Sequence, residues 1–287
     1  MLNLQIPHAT TVSALRTRVR TWREERLTIG FVPTMGALHD GHLALIRLAK
    51  AQSDRVVASI FVNPAQFAPG EDFDAYPRSV VEDSQKLTEA HCDLIYLPTT
   101  EVIYPDGFDT KVSVGGPAKG LESAARPHFF NGVATVVTKL LNQVRPDIAV
   151  FGEKDYQQLL VIRQLAKDLD LGVSIIAGET VRERDGLALS SRNAYLDADQ
   201  RKRAARLNLI LKQFAGALAA GEAISKARLA ALEEAKSVFD SVDYIEARCS
   251  DTLAPLGKGK LTRPARLLAA VRLGSTRLID NCAASPS

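Results

Sequence analysis

The sequence predicts an α/β protein, a doubly wound parallel sheet followed by a smaller C-terminal α+β domain. Short Val/Ile-rich runs alternate with segments of helical periodicity as far as Ile176. Polar motifs directly follow three of those runs, after Val32, Phe61 and Phe151. Parallel sheets bind ligands beyond the carboxyl ends of their strands, so this shared placement points to one functional edge. After about Ala177 the texture changes to long helices and then short strands.

An apolar run at 27–33 reads as a buried strand, and Leu43, Ile46, Arg47 and Lys50 give helical periodicity from Gly41 onward. A strand at 55–62 leads through a loop to a helix near 79–90, and a strand at 93–97 leads to irregular chain. A helix at 131–144, a strand at 147–151, a helix at 155–169 and a strand at 172–176 complete the alternation. A loop at 179–193 precedes a long helix from about 199 to 219 and a second near 225–241. Short strands follow at 242–248, 266–272 and 277–279. The expected domains are 1–178 and 179–287.

A chain of 287 residues is long enough for a substantial core. Its net charge of +3 is too small to argue for nucleic acid or an anionic membrane as partner. No uninterrupted apolar stretch approaches the roughly 18 residues of a membrane span. The N-terminal segment is amphipathic, interrupted by Arg16, Arg18 and Arg20, and lacks a signal-peptide pattern. Cys92, Cys249 and Cys282 are odd in number and far apart, so reduced thiols in a cytoplasmic protein are expected rather than a disulfide framework or a zinc site. The Lys/Arg run at 201–206 reads as a solvated helix face.

The most informative segment is Pro33-Thr34-Met35-Gly36-Ala37-Leu38-His39-Asp40-Gly41-His42. Such a strand-to-helix turn is expected to expose backbone N–H groups at the positive end of a helix dipole, which suits phosphate. His39 and His42 fall on one side of the first helical turn. Zinc ligands, structural histidines and phosphate donors are the competing readings, and the glycine-rich turn favours donors.

Asn63 and Gln66, in Phe61-Val62-Asn63-Pro64-Ala65-Gln66-Phe67, carry amides able to hold a carboxylate or hydroxyl. A cap-and-turn role ahead of Pro64 explains that segment as well. In Gly152-Glu153-Lys154-Asp155-Tyr156-Gln157-Gln158, Lys154 can neutralise a phosphate, Gln158 lies one turn on, and Asp155 suits an N-cap. Leu189-Ser190-Ser191-Arg192-Asn193 follows Arg182, Arg184 and Asp185-Gly186 between the expected domains. As a mobile polar loop it could wrap a triphosphate; as an ordinary interdomain loop it would use Asn193 as a turn residue.

Taken together and in this order, P-T-M-G-A-L-H-D-G-H, F-V-N-P-A-Q-F, G-E-K-D-Y-Q-Q-L and D-G-L-A-L-S-S-R-N closely resemble the pantothenate synthetase family, within the wider H-x-G-H nucleotidyltransferases. The likeness runs to the C-terminal R-L-I-D-N and so covers nearly the whole chain. It implies a Rossmann-like fold and a two-step ligation. Pantoate attacks the α-phosphorus of Mg-ATP to give pantoyl adenylate and pyrophosphate, and β-alanine then displaces AMP to give pantothenate.

By that resemblance Met35, Gly36, Ala37, Leu38, His39, Asp40, Gly41 and His42 hold ATP. His39 and His42 lie near the phosphates, and His42 takes a general-acid role. Pro33, Thr34 and Met35 border the substrate. Gln66 and Gln158 bind pantoate, with Asn63 nearby, and Gln66 also touches the β-alanine site. Gly152, Glu153, Lys154, Asp155, Val181, Leu189, Ser190, Ser191 and Arg192 correspond to nucleotide contacts, Lys154 and Arg192 among the catalytic cations. The pair Glu82-Asp83 matches a region associated with Mg2+, Asp83 being the candidate ligand; an exposed helix start explains the pair equally. The smaller domain is expected to act as a lid, and a cytoplasmic homodimer in coenzyme A synthesis is implied.

One segment departs from the family pattern L-E-G-x-x-R-P-G-H-F-x-G-V. Ser123 and His128 replace glycines, and Phe129 stands where His is usual, with Arg126 retained for substrate binding. Were position 128 to need positive φ, His128 would be strained.

Overall fold

The computed structural model describes residues 4–68, 71 and 73–286, which form two compact units. The first comprises residues 1–153 and 161–179, and the second 154–160 and 180–287. No helix among the described residues is long and apolar enough to cross a membrane.

The first unit opens with strand β1 (His8–Ala9) and helix α1 (Val12–Glu24). Thr11 caps α1, its side chain accepting the Ala14 N–H, and Leu15, Val19 and Trp22 recur at helical spacing to bury one face. The four arginines between Arg16 and Arg23 left this segment legible only as amphipathic chain. Next come β2 (Ile29–Thr34), α2 (Asp40–Gln52), β3 (Arg55–Ile60), α3 (Val80–Glu89), β4 (Leu94–Tyr96), and two short helices, α4 (Thr100–Ile103) and α5 (Glu122–Ala125). The long helix α6 (Phe129–Val144) is buried over most of its length and ends on Arg145 in the left-handed region. It is followed by β5 (Ile148–Gly152), α7 (Tyr156–Asp168), whose start belongs to the second unit, and β6 (Ser174–Gly178).

All neighbouring strands of this sheet are parallel, in the order β1-β4-β3-β2-β5-β6. The centre of the sheet is buried because its strands are near-continuous apolar runs; Ile29, Phe31, Val32, Val56, Val57 and Ala58 are each fully shielded from solvent. Chain order reverses at β2, with β3 on one side and β5 on the other. A crevice at the carboxyl ends of β2 and β5 is the topological switch point where such sheets take ligands. The Rossmann-like architecture expected from the sequence is therefore present.

The second unit contains α8 (Ala198–Ala204), α9 (Arg206–Ala219), α10 (Ile224–Val238) and an antiparallel sheet of β7 (Ser241–Cys249), β8 (Ala265–Leu273) and β9 (Thr276–Ala284). Its core joins Leu211, Phe214 and Ala235 of the helices to Ile245, Leu267 and Val271 of the strands. The single helix expected at 199–219 is two, interrupted at Ala205, whose N–H turns to the Arg203 carbonyl. The last strand is longer than the expected 277–279 because Asp280 and Asn281 are buried polar residues that break its apolar signal. The basic run at 201–206 is not simply solvated: Arg201, Arg203 and Arg206 pair with Asp185, Asp240 and Glu234.

Asp280 takes both guanidinium Nη atoms of Arg182, at 2.7 and 2.9 Å, and the Asn208 amide at 3.3 Å. Asp280→Ala would leave that part-buried cation without its partner and should lower stability by about 3 kcal/mol in denaturant unfolding. A loss below about 1 kcal/mol would show that water replaces the carboxylate without penalty.

Candidate active site

β2 runs straight into the first motif. The Thr34 hydroxyl donates to the Ser59 carbonyl on β3 at 2.8 Å and accepts the Gly36 N–H at 3.3 Å. Gly36 and Ala37 then both adopt positive φ, +85° and +51°. At Gly36 the positive φ favours glycine, and an added Cβ would be tight, 3.0 Å from Asp83 Oδ2 and 3.1 Å from Ile60 Cγ2. Ala37 has no such exemption, and its left-handed backbone costs roughly 1–2 kcal/mol.

Consecutive left-handed residues turn successive N–H groups toward one point, a geometry that binds anions. Here the anion is the protein's own. Asp83, on the first turn of α3, accepts the Ala37 N–H at 2.9 Å on one carboxylate oxygen and the Leu38 N–H at 2.8 Å on the other. One helical turn further, Lys86 Nζ donates to the Leu38 carbonyl at 2.7 Å. Asp83 is 1% exposed. Burial pushes its carboxyl up, against the opposing pull of the two N–H bonds and Lys86.

His39 is the N-cap of α2, and its Nδ1 accepts the Gly41 N–H at 3.1 Å. Reciprocally, His42 Nδ1 accepts the His39 N–H at 3.4 Å. This is a capping box in which both side chains are imidazoles. A nitrogen that accepts carries no proton, so each neutral ring bears its proton on Nε2. The ring centroids are 4.1 Å apart, a spacing at which two imidazolium charges would repel.

The expectation that this turn offers backbone N–H groups to phosphate is narrowed, because five of them already have partners within the protein. Those of Gly36, Ala37, Leu38, His39 and Gly41 are held by Thr34, Asp83, His42 and His39. On each ring the cap uses Nδ1. Asp83, the expected magnesium ligand, has both carboxylate oxygens engaged by backbone N–H groups. Among the described residues no three His, Cys, Asp or Glu converge as a metal-holding group.

After β3, Asn63 caps a 3-10 turn, Pro64–Gln66, and is 1% exposed. Its Oδ1 accepts the Tyr104 hydroxyl at 2.7 Å and the Ala65 N–H at 3.2 Å. Its Nδ2 donates to Gln66 Oε1 and to the Gly132 carbonyl, each at 3.2 Å. Gln66 therefore keeps its oxygen toward Asn63 and presents its NH2, which lies 2.9 Å from Met35 Sδ. Asn63 thus serves as cap and also fixes the Gln66 amide. Gly132 makes the approach possible, as an added Cβ would fall 2.2 Å from the Ala65 carbonyl oxygen.

Tyr104 was invisible in the sequence because nothing near it repeats or clusters. Burial pushes its phenol up to about 12, so it remains a donor at neutral pH.

Arg126 is braced rather than exposed to a substrate. Its guanidinium pairs with Glu71, donates to the Gln66 carbonyl at 2.9 Å and lies 4.0 Å over the Phe129 ring. Two of the residues that depart from the family pattern are accommodated: Phe129 supplies that ring, and the Ser123 hydroxyl donates to the Ala118 carbonyl. The third, His128, has a buried Nε2 with no hydrogen-bond partner among the described residues. His128 has φ −89°, so the strain considered for it does not arise.

In the second unit, Lys154 and Asp155 end a 3-10 turn, Glu153–Asp155, and Asp155 immediately precedes α7. Lys154 Nζ is 3.9 Å from the Asp155 carboxylate, and its carbonyl accepts the Asn281 amide at 2.8 Å. Asn281 also accepts Arg266, whose guanidinium covers the Tyr156 ring at 4.0 Å. Gln157 is buried and Gln158 half-buried.

The stretch expected as a mobile loop is a hairpin. Arg182 and Ala188 form an antiparallel bridge, the Leu189 N–H reaches the Val181 carbonyl at 3.0 Å, and Gly186 turns the chain at φ +92°. Ser190 then caps the turn Ser191–Tyr195 through the Arg192 N–H at 3.3 Å. Asp280 and Asn281, which organise Arg182 and Lys154 from β9, had one sequence signal: adjacent polar residues in an otherwise apolar strand.

The family model for pantoate-beta-alanine ligase matches residues 8–283. The pantothenate synthetase of Maricaulis maris (strain MCS10) is 72% identical, the match covering 100% of this chain and 99% of that protein. A crystal structure of pantothenate synthetase from Thermus thermophilus superposes with a TM-score of 0.90 at 45% identity, covering 96% of this chain and 99% of that one. The pantoate-beta-alanine ligase of Francisella tularensis, solved in complex with beta-gamma ATP and beta-alanine, gives 0.80 at 35% identity over 96% and 97%. The chain belongs to the pantoate–β-alanine ligase family, the pantothenate synthetases.

Proposed function

We propose that this ligase uses ATP to convert pantoate to pantoyl adenylate, releasing pyrophosphate, and then joins β-alanine to give pantothenate and AMP. The observation that carries this reading is the 2.9 Å approach of Gln66 Nε2 to Met35 Sδ. It joins an amide donor suited to a carboxylate to the histidine-bearing turn suited to phosphate. The Francisella relative's ATP and β-alanine complex supports the same two substrates.

In this reading the substrate carboxylate is the nucleophile, so no enzyme side chain is acylated. The Gln66 amide orients that carboxylate without neutralising it, with Gln158 as the second pantoate amide and Pro33, Thr34 and Met35 alongside. His39 and His42 donate from Nε2 to the nucleotide phosphates. For His42 this replaces the general-acid role, since a ring whose Nδ1 is an acceptor acts as a neutral donor. Lys154, Ser190, Ser191 and Arg192 stabilise charge on the departing pyrophosphate. Gly152, Glu153, Asp155, Val181 and Leu189 contact the nucleotide. Catalysis then rests on alignment and electrostatic stabilisation.

Magnesium accompanies the nucleotide. Residues 1–178 are assigned nucleotide and pantoate binding and residues 179–287 the role of lid, keeping water from the adenylate. A cytoplasmic homodimer serving coenzyme A synthesis completes the reading.

A coupled assay omitting each substrate in turn should show AMP release only with ATP, pantoate and β-alanine all present. AMP formed equally well without pantoate or β-alanine would overturn the proposal, as would AMP retained on the product in mass spectra. His42→Ala and Lys154→Ala should each slow adenylate formation by about 100-fold or more, the scale of a lost transition-state donor. Near-normal single-turnover rates in either variant would remove that residue from the catalytic set.

A further inference from the structure

We propose that Asp83 and Lys86 are positioning residues that set the phosphate turn from helix α3, and that Asp83 acts on the protein's own backbone instead of ligating magnesium. The proposal rests on the assignment of residues 35–42 to nucleotide binding.

The two side chains lie three residues apart on α3 and so share one face of it. Between them they hold the Ala37 N–H at 2.9 Å, the Leu38 N–H at 2.8 Å and the Leu38 carbonyl at 2.7 Å. Donors go to the carboxylate and the acceptor to the ammonium, so the clamp is polar on both sides and close to neutral overall. It grips the peptide groups that follow two left-handed residues, at φ +85° and +51°. The next residue, His39, begins α2 and accepts from Gly41, which sets its ring against His42. The clamp thus fixes the imidazoles at one remove, through the backbone.

A magnesium ligand needs a different setting. Mg2+ holds octahedral geometry at about 2.0–2.1 Å and keeps several of its waters. Asp83 is 1% exposed, each of its oxygens accepts an N–H, and the Lys86 ammonium donates to the carbonyl of Leu38, the residue whose N–H Asp83 holds. Glu82, its neighbour on α3, is exposed and lies about 100° round the helix, so the two carboxylates do not form a chelating pair.

The test compares Asp83→Asn and Lys86→Met with the parent enzyme in the full chain. Steady-state constants for ATP and β-alanine, dependence on free Mg2+, and thermal melting are measured for each. Asp83→Asn places an NH2 against a backbone N–H, and kcat/KM for ATP should fall about tenfold or more, the scale of a lost charged hydrogen bond. KM for β-alanine and the free Mg2+ giving half-maximal rate should stay unchanged. Lys86→Met should lower kcat/KM for ATP in the same direction, by about fivefold.

A liganding role for Asp83 reverses two of these signs. Excess Mg2+ or Mn2+ would then restore Asp83→Asn, and removing the Lys86 cation would lower the Mg2+ requirement. Either result overturns the proposal. So does a reduced melting temperature with unchanged constants per folded enzyme, which marks a merely structural contact. Should Asp83→Asn not fold, Lys86→Met decides alone by the same criteria. A parent enzyme that forms no AMP with all three substrates defeats the functional reading; an active parent with unaltered variants defeats only the clamp.

Discussion

Two successive left-handed residues stand in a chain only when their surroundings hold them, and at Gly36 and Ala37 the chief holder is a buried carboxylate, with Thr34 and Lys86 beside it. Asp83 satisfies two N–H groups that a strained turn would otherwise leave without partners in a buried place. The compensation is on the right scale: hydrogen bonds to a charged group contribute about 1.5–3 kcal/mol each, against roughly 1–2 kcal/mol for one non-glycine residue in this conformation. The direction in which α2 leaves the sheet follows from this contact, and with it the placing of His39 and His42. The turn also leaves the sheet from β2, where the strand order reverses, so the general rule for α/β sheets and the local clamp agree on one location.

The polar groups of the first unit's site are neutral donors in fixed orientations. Asn63, held by Tyr104 and Gly132, orients Gln66, and the paired imidazoles orient each other through the cap of α2. In the proposed reaction this suits a carboxylate that must be gripped and still attack, because an amide donor does not quench its charge as a guanidinium would. Arg126, which donates to the Gln66 carbonyl, is itself held by Glu71 and Phe129. The cations suited to pyrophosphate belong to the second unit, where Lys154 is organised through its backbone by Asn281 of β9.

Much of this was legible beforehand, and the rest was hidden for definite reasons. Apolar runs separated by helical periodicity revealed the parallel sheet, because burial on both faces demands that pattern. The motifs after Val32, Phe61 and Phe151 marked its functional edge. Hidden were the contacts made across long sequence separations. Asp83 reads as an ordinary helix-start acid, and only the fold shows that its partners lie at Ala37 and Leu38. Tyr104 comes from a featureless segment, and Asp280 and Asn281 looked like the end of a strand. In the segment at 123–129, which departed from the family pattern, Phe129 lies against Arg126 and φ at His128 is negative, but the His128 Nε2 is buried without a hydrogen-bond partner among the described residues.

The central claim is that the two histidines serve the helix cap with one nitrogen and the phosphates with the other. Long-range 1H–15N correlation spectra of the imidazoles, assigned with His39→Gln and His42→Gln, test it directly. The account predicts that both rings are Nε2–H tautomers when neutral, with Nδ1 unprotonated in each. A Nδ1–H tautomer at either position would contradict it, since that ring could not then accept the N–H that the cap requires.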